Sequence, residues 1–407
     1  MSGALSGIRV LDLSRVLAGP WAGQILGDLG ADVIKVERPI VGDDTRAWGP
    51  PFVGCKDGEV NKESAYYLCT NRNKRSVTID IATAKGQQLI RDLAMQCDVV
   101  LENYKVGGLK KYGLDYASLS ALNPKLVYCS VTGFGQDGPY ATRPGYDFLI
   151  QAMGGLMSIT GRPDDEPGAG PLRAGVALTD LSTGLYATIA VLAALNYRHV
   201  SGKGQYIDMA LLDVHVATLA NQASTYLTDG TVPQRMGNGH PTVVPYQDFP
   251  TADGDMILAI GNDGQFARFA EIAGHAEWAS DERFRTSAAR AVNRKILIPL
   301  VRQATVMRTS EEWLRILPEV NVPCGPVNNI KQVFEDPQVK HRGIRIEMPH
   351  ELQDSISLVG NPMRFSESPV SYRHSPPLLG EDTDEVLREM LALDDDTLAQ
   401  LKHEGVL

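Results

Sequence analysis

The stretch VLDLSRVLAGPWAGQILGDLGADVIKVE, residues 10–37, constrains the fold more than any other. An apolar strand (IRVLDL, 8–13) turns into a helical segment (WAGQILGDLG, 21–30), which leads to a second apolar strand (DVIKVE, 32–37). Strands separated by a helix pair in parallel through a right-handed crossover, and a parallel sheet needs helices on both faces. The alternation continues: SVTIDI (76–81), DVVLE (98–102) and KLVYCSV (125–131) read as strands, with AKGQQLIRDLAMQC (84–97) as a helix between two of them. The expected class is α/β, with a parallel sheet in the large domain.

Residues 133–174 are rich in Gly and Pro and read as loops over the carboxyl ends of the strands, where α/β folds place their sites. A buried helix is expected at 185–198, then a turn (SGKGQ) into YIDMAL. The expected organisation is a large domain from 1–200, a linker over 201–225, a small α+β domain over 226–330, and a return to the large domain over 331–407.

Bulk properties exclude several classes. Net charge is −10 over 407 residues, and no basic block appears, so the footprint of a nucleic-acid binder is missing. The five cysteines (Cys55, Cys69, Cys97, Cys129, Cys324) are odd in number and lack CxxC spacing, which points to a reducing compartment without a disulfide framework or zinc site. The histidines form no ligand pattern, so no metal is expected. The first residues show no basic segment followed by an apolar signal core, and the apolar stretch 185–197 is short for a bilayer. A soluble, cytoplasmic protein with no membrane partner is expected.

The motifs that carry chemistry are individually weak. Gly19 and Gly23 do not make GxGxxG and Pro20 occupies the turn, so the opening unit is a poor dinucleotide fingerprint, although a phosphate could sit at that helix start with Arg38 beside it. In NYKVGGLKKYG (103–113), an aromatic residue, a flexible turn and several lysines suit a phosphorylated ligand, or equally a solvated loop. His240, in GNGHP, sits among glycines; a lone loop histidine is more often structural. Asp180, in GVALTDLSTG, precedes an apolar helix. It reads locally as a helix cap, with a catalytic carboxylate as the alternative.

Taken in order, LDLSRVLAGPWAGQILGDLGADVIKVER, NRNKRSVTIDI, DVVLENY, SVTGFGQDGPY, PGYDFLIQAMGGLMSITG, LTDLSTG, RHVSGKGQYIDMALLD, VPCGPVNNI and PPLLGEDTDEVL resemble the class III CoA-transferases, the family of formyl-CoA transferase and carnitine CoA-transferase. The resemblance runs nearly end to end. It implies a Rossmann-like CoA-binding large domain with a smaller domain in an interlocked homodimer. It also implies an enzyme with no permanently bound cofactor, whose substrates are acyl-CoA and a carboxylic acid.

It places the nucleophilic aspartate on Asp180, and CoA contacts on Leu17, Ala18, Arg38, Ile79, Asn103, Tyr104, Lys105 and Lys111, with Tyr146 near the thioester. Leu17, Lys111 and Ala82 depart from the formyl-CoA transferase pattern, where glutamine, arginine and lysine stand; the first departure speaks against oxalate as acceptor. Gly237, Asn238, Gly239 and His240 form the implied substrate loop, a candidate lid. The segments around 160–187 and 237–266 look most like the branch that moves CoA from succinyl-CoA to dicarboxylates such as glutarate or hydroxymethylglutarate, with Arg173 a candidate partner for a distal carboxylate. The alternative within the family is an α-methylacyl-CoA racemase. Those enzymes carry GHD where this chain reads GYD (145–147), and a tyrosine is a poor base at neutral pH.

Overall fold

The computed structural model describes residues 3–54 and 63–407; Cys55 lies outside them. The chain forms two compact units. The first comprises the chain up to Gly155, Ala174–Ser224 and Gln338–Leu407; the second comprises Leu156–Arg173 and Thr225–Pro337.

The first unit is built on six strands: β1 (Arg9–Asp12), β2 (Asp32–Glu37), β3 (Lys74–Thr78), β4 (Val99–Glu102), β5 (Val127–Thr132) and β6 (Tyr206–Ala210). Every pairing in this sheet is parallel, and the order is β3-β2-β1-β4-β5-β6. Chain direction across the sheet therefore reverses between β1 and β4, and their carboxyl ends diverge into a crevice there.

The strand period of two sorts neighbouring residues to opposite faces. Leu11, Ile34, Val77, Val100 and Tyr128 pack on one side with Ile90 and Leu93, and with Val386, Leu387 and Leu398 near the C-terminus. Val10, Val33, Val99 and Val127 pack on the other with Ala22 and Leu26 of helix α1 (Ala18–Asp28). Two helices near the chain's carboxyl end, Thr383–Leu391 and Asp395–His403, thus complete the core.

Buried charges move some boundaries away from the apolar pattern. Strand β3 starts at Lys74, two residues before the expected SVTIDI, because Lys74 and Arg75 enter the sheet already paired. Lys74 Nζ lies 2.9 Å from the Asp12 carboxylate with both side chains fully buried, and Arg75 pairs with Asp32 at 2.6 Å. Helix α1 passes directly over the first pair: a Cβ on Gly23 would sit 2.7 Å from Asp12 Oδ2, so only glycine allows that approach.

The loop-rich segment 133–174 contains two short helices, α2 (Asp147–Met153) and α3 (Leu156–Ile159). Helix α4 (Leu178–Ser201) is 24 residues long and begins seven residues before the expected start. It is long and apolar enough to cross a membrane by length and composition. Its contacts give it another place, because Ala187, Val191 and Ala194 pack into the sheet core. Gly184 lets it close on α1, since a Cβ there would lie 2.7 Å from the Ala18 carbonyl.

The second unit holds an antiparallel sheet of Tyr246–Pro250, Asp255–Ala259 and Cys324–Pro326. Phe249, Leu258, Phe266, Phe269, Phe284 and Trp313 form its core. Arg290 is fully buried within it, donating to the Val244 and Phe284 carbonyls and pairing with Asp263.

Candidate active site

The loops after β1, β2, β3, β4 and β5 enclose two adjoining cavities in the first unit. The larger, about 430 Å³, is lined by Arg38, Ile79, Ile81, Tyr104, Lys105 and Lys111, among others. The other, about 200 Å³, is lined by Leu17, Ala18, Asn103, Arg143, Tyr146 and Asp180, among others. Arg15, Tyr104 and Lys105 border both, so the two form one cleft, cationic and half apolar at one end and carrying the Asp180 carboxylate at the other.

Asp180 is not the cap of its helix. The N-cap position is Ala177, and Asp180 stands in the first turn of α4. The cap is supplied from α2: Asp147 Oδ1 accepts from the backbone N–H of Thr179 at 2.8 Å and of Asp180 at 3.3 Å. This frees the Asp180 carboxylate from capping, and among the described residues no side chain donates a hydrogen bond to it. Burial and the nearby Asp147 charge push its pKa up to about 7. A half-buried, underbonded carboxylate at the edge of a cavity is less stabilised than one in water, and correspondingly more available as a nucleophile once ionised.

The opposing loop is built with unusual rigidity. Val16 has φ 73°, in the left-handed region, where a β-branched residue is an outlier at a cost of roughly 1–3 kcal/mol. Side chains from the neighbouring strand ends hold the loop there. Ser14 N–H donates to Asp12 and the Ser14 carbonyl accepts from Lys35 Nζ at 3.1 Å. Arg15 N–H donates to Asn103 Oδ1 at 2.9 Å, and Asn103 Nδ2 returns to the Arg15 carbonyl at 2.7 Å. Val16 N–H lies 3.2 and 3.3 Å from the two Asp43 oxygens.

Asp43 also takes Lys35 Nζ at 2.8 Å and the Thr45 N–H and hydroxyl. Burial opposes its charge, yet Lys35 and Thr45 outweigh it and hold the pKa at about 2. Its backbone N–H donates to Glu37, which pairs with Arg46, and Arg46 in turn pairs with Glu63 and donates to Tyr67.

The positions implied by the resemblance thus fall around this cleft in the first unit: Leu17, Ala18, Asn103, Tyr146 and Asp180 line the smaller cavity, Arg38, Ile79 and Lys111 the larger, and Tyr104 and Lys105 both. Ala82 also lines the larger cavity. Asn103 has its amide engaged with Arg15, which makes it a brace for the loop as well. Tyr146 is 66% exposed. Gly237, Asn238, Gly239 and His240 lie in the second unit. There Arg294 donates to the His240 and Pro241 carbonyls at 3.0 and 2.7 Å, and His240 Nδ1 accepts from Val243 N–H at 3.0 Å. That loop is anchored at both ends, since the Gly237 N–H donates to the Gly161 carbonyl at 2.9 Å, and Gly237 has φ 60°.

The family model for CoA-transferase family III matches residues 5–383. The chain belongs to that family. It is 52% identical over 386 residues to a succinate–glutarate CoA-transferase of Agrobacterium fabrum, covering 95% of each chain. It is 44% identical over 403 residues to a human succinyl-CoA:glutarate CoA-transferase, covering 99% of this chain and 90% of that one. A crystal structure of a CAIB/BAIF family protein from Brucella suis superposes with a TM-score of 0.84 at 48% identity, over 96% of this chain and all of that one. The protein is a class III CoA-transferase, an enzyme that works on CoA thioesters and carboxylates.

Sequence reasoning passed over Asp43, Lys35, Val16 and Asp147 as parts of this site. Lys35 carried a signal, a lysine in the middle of an apolar strand. Asp147 and Asp43 lie in loop-like sequence and meet their partners only through the fold. Val16 carried no signal at all. Tyr66 belongs with them: burial and the Asp180 charge push its hydroxyl up to about 12.

Proposed function

We propose that this enzyme moves CoA from succinyl-CoA to glutarate or a closely similar dicarboxylate, with Asp180 as the nucleophile. The observation that carries the reading is the Asp180 carboxylate, uncapped and without a side-chain donor among the described residues, in the cavity that adjoins the cationic cleft. The names of relatives similar over nearly the whole chain supply the acid pair.

CoA lies in the larger cavity, its phosphates toward Arg38, Lys105 and Lys111 and its thioester toward Tyr146 and Asp180. Asp180 attacks the succinyl carbonyl, the carbon–sulfur bond breaks, and a mixed anhydride and CoA thiolate result. The thiolate attacks the Asp180 carbonyl of the anhydride, releasing succinate and leaving an aspartyl-CoA thioester. Glutarate attacks that thioester, forming a second anhydride and thiolate. The thiolate then takes the glutaryl group and returns Asp180 to its carboxylate.

The N–H groups of Leu17 and Ala18 open α1 and have no intrahelical partner, so they are placed to stabilise an oxyanion at this edge of the cavity. Water must be kept out while an anhydride stands.

The large domain is read as Rossmann-like and the protein as a cytoplasmic, interlocked homodimer. The apolar outer face of α4, with Leu185, Ile189 and Val200 at 50, 62 and 83% exposure, supports an interface there. The test is conversion of succinyl-CoA and glutarate to glutaryl-CoA and succinate, with loss of conversion in Asp180→Asn.

A further inference from the structure

We propose that Asp43 is a positioning residue for this reaction: its carboxylate holds Val16 in the left-handed conformation that sets the Arg15–Ala18 wall of the Asp180 cavity. The inference rests on the reading of Asp180 as the reacting group in that cavity.

A left-handed residue in a loop is normally glycine, which adopts that conformation without strain. Here a valine takes it, at φ 73°, beside Leu17 and Ala18 on the cavity wall. Such a residue persists only where its surroundings over-determine it. Its backbone N–H faces both oxygens of Asp43, at 3.2 and 3.3 Å.

Asp43 is itself held from several sides. It is buried, and it accepts from Lys35 at 2.8 Å and from the Thr45 N–H and hydroxyl at 2.9 and 2.7 Å. Lys35 also fastens the Ser14 carbonyl, two residues before Val16. Among the described residues, the hydrogen bond to Val16 is the one by which Asp43 reaches the loop on the cavity wall.

A fixed restraint on a strained residue keeps the loop in one conformation, from which a valine would otherwise relax. A wall that must present groups to a moving acyl carbon gains rate from such fixity, because a shift of about 1 Å lowers turnover by as much as a hundredfold.

The experiment is a double-mutant cycle of Asp43→Asn and Val16→Gly, with steady-state kinetics on succinyl-CoA and glutarate. With Val16 in place, Asp43→Asn should lower kcat roughly tenfold to a hundredfold, because the wall facing Asp180 shifts; the cycle is read on kcat, since Asp43 and Arg15 also line the CoA cavity. In the Val16→Gly background the same change should lower kcat less than about threefold, because glycine needs no restraint to occupy that conformation. An equal loss in both backgrounds would overturn the inference and leave Asp43 as a partner of Lys35 only.

Should Asp43→Asn fail to fold, thermal unfolding of Val16→Gly and Val16→Ala decides instead. Strain at Val16 predicts a higher midpoint for the glycine variant; a higher midpoint for alanine overturns it. Wild-type turnover tests the underlying reading separately, since an inactive wild type with this acid pair would refute that reading while the order of midpoints still reports the strain.

Discussion

The carboxylate of Asp147 caps the helix that carries Asp180, accepting from the Thr179 and Asp180 N–H groups at 2.8 and 3.3 Å. One acid is thereby spent on the helix so that the other can face the cavity. The same closeness sets the chemistry, because burial and the Asp147 charge together raise the Asp180 pKa to about 7.

The first prediction is the pH profile. A nucleophilic carboxylate must be ionised, so kcat/KM for succinyl-CoA should rise about tenfold per pH unit below about 7 and level off above it. Initial rates from pH 5 to 9 check this; a profile flat from pH 5 upward would mean that Asp180 ionises at its ordinary value.

Asp147→Asn should move that profile. The amide oxygen can still accept from Thr179, but the charge beside Asp180 is gone, so the apparent pKa should fall below about 7. An unchanged midpoint would leave burial as the whole cause.

Stability follows with a definite sign. Asp180 is an acid whose folded pKa, about 7, lies above its ordinary value of 3.8, so the folded state binds more protons between those limits. Its contribution is therefore least unfavourable below pH 3.8 and becomes more destabilising as pH rises toward 7. Asp180→Asn should unfold a few degrees above wild type at pH 8, with the gap narrowing toward pH 4. The gap widening in the acid would contradict this.

Arg46 gives the largest expected loss of stability. It pairs with Glu37 and Glu63 at 2.6 and 2.5 Å inside the protein. Arg46→Met removes the guanidinium that both buried acids share and should cost about 3–5 kcal/mol in urea unfolding. A loss under about 1 kcal/mol would mean that the acids simply take up protons there.

How much of this was legible in the sequence depends on what each residue answers to. Apolar alternation located the strands of the sheet, since Val10/Leu11 and Val33/Ile34 answer to burial alone. It placed the start of β3 late, because Lys74 and Arg75 look like a strand's exterior until Asp12 and Asp32 arrive from other strands. It left Asp180 open between a cap, the favoured local reading, and a catalytic carboxylate, and started α4 late for a similar reason: the true cap comes from Asp147, distant in sequence. Arg38 and the 103–113 segment were suggested by their places after strands, and family resemblance added Leu17, Ala18, Ile79 and Tyr146. Val16 could not be found that way, because its backbone angle is a product of its neighbours.

On the proposed assignment, Arg38 and Lys111 meet CoA and not the acid. Arg38→Ala or Lys111→Ala should raise KM for succinyl-CoA about tenfold, more at low salt, and leave KM for glutarate unchanged. A rise confined to glutarate would put these cations on the acid instead.

The most direct test of the account is mass spectrometry of the acyl-CoA products from enzyme, succinyl-CoA and unlabelled glutarate in heavy water, with Asp180→Asn alongside. The account predicts glutaryl-CoA without deuterium at its α-carbon from the wild type, and none above background from Asp180→Asn. Glutaryl-CoA formed at an undiminished rate by the variant, or deuterium entering the α-carbon of succinyl-CoA with no glutaryl-CoA formed, would contradict it.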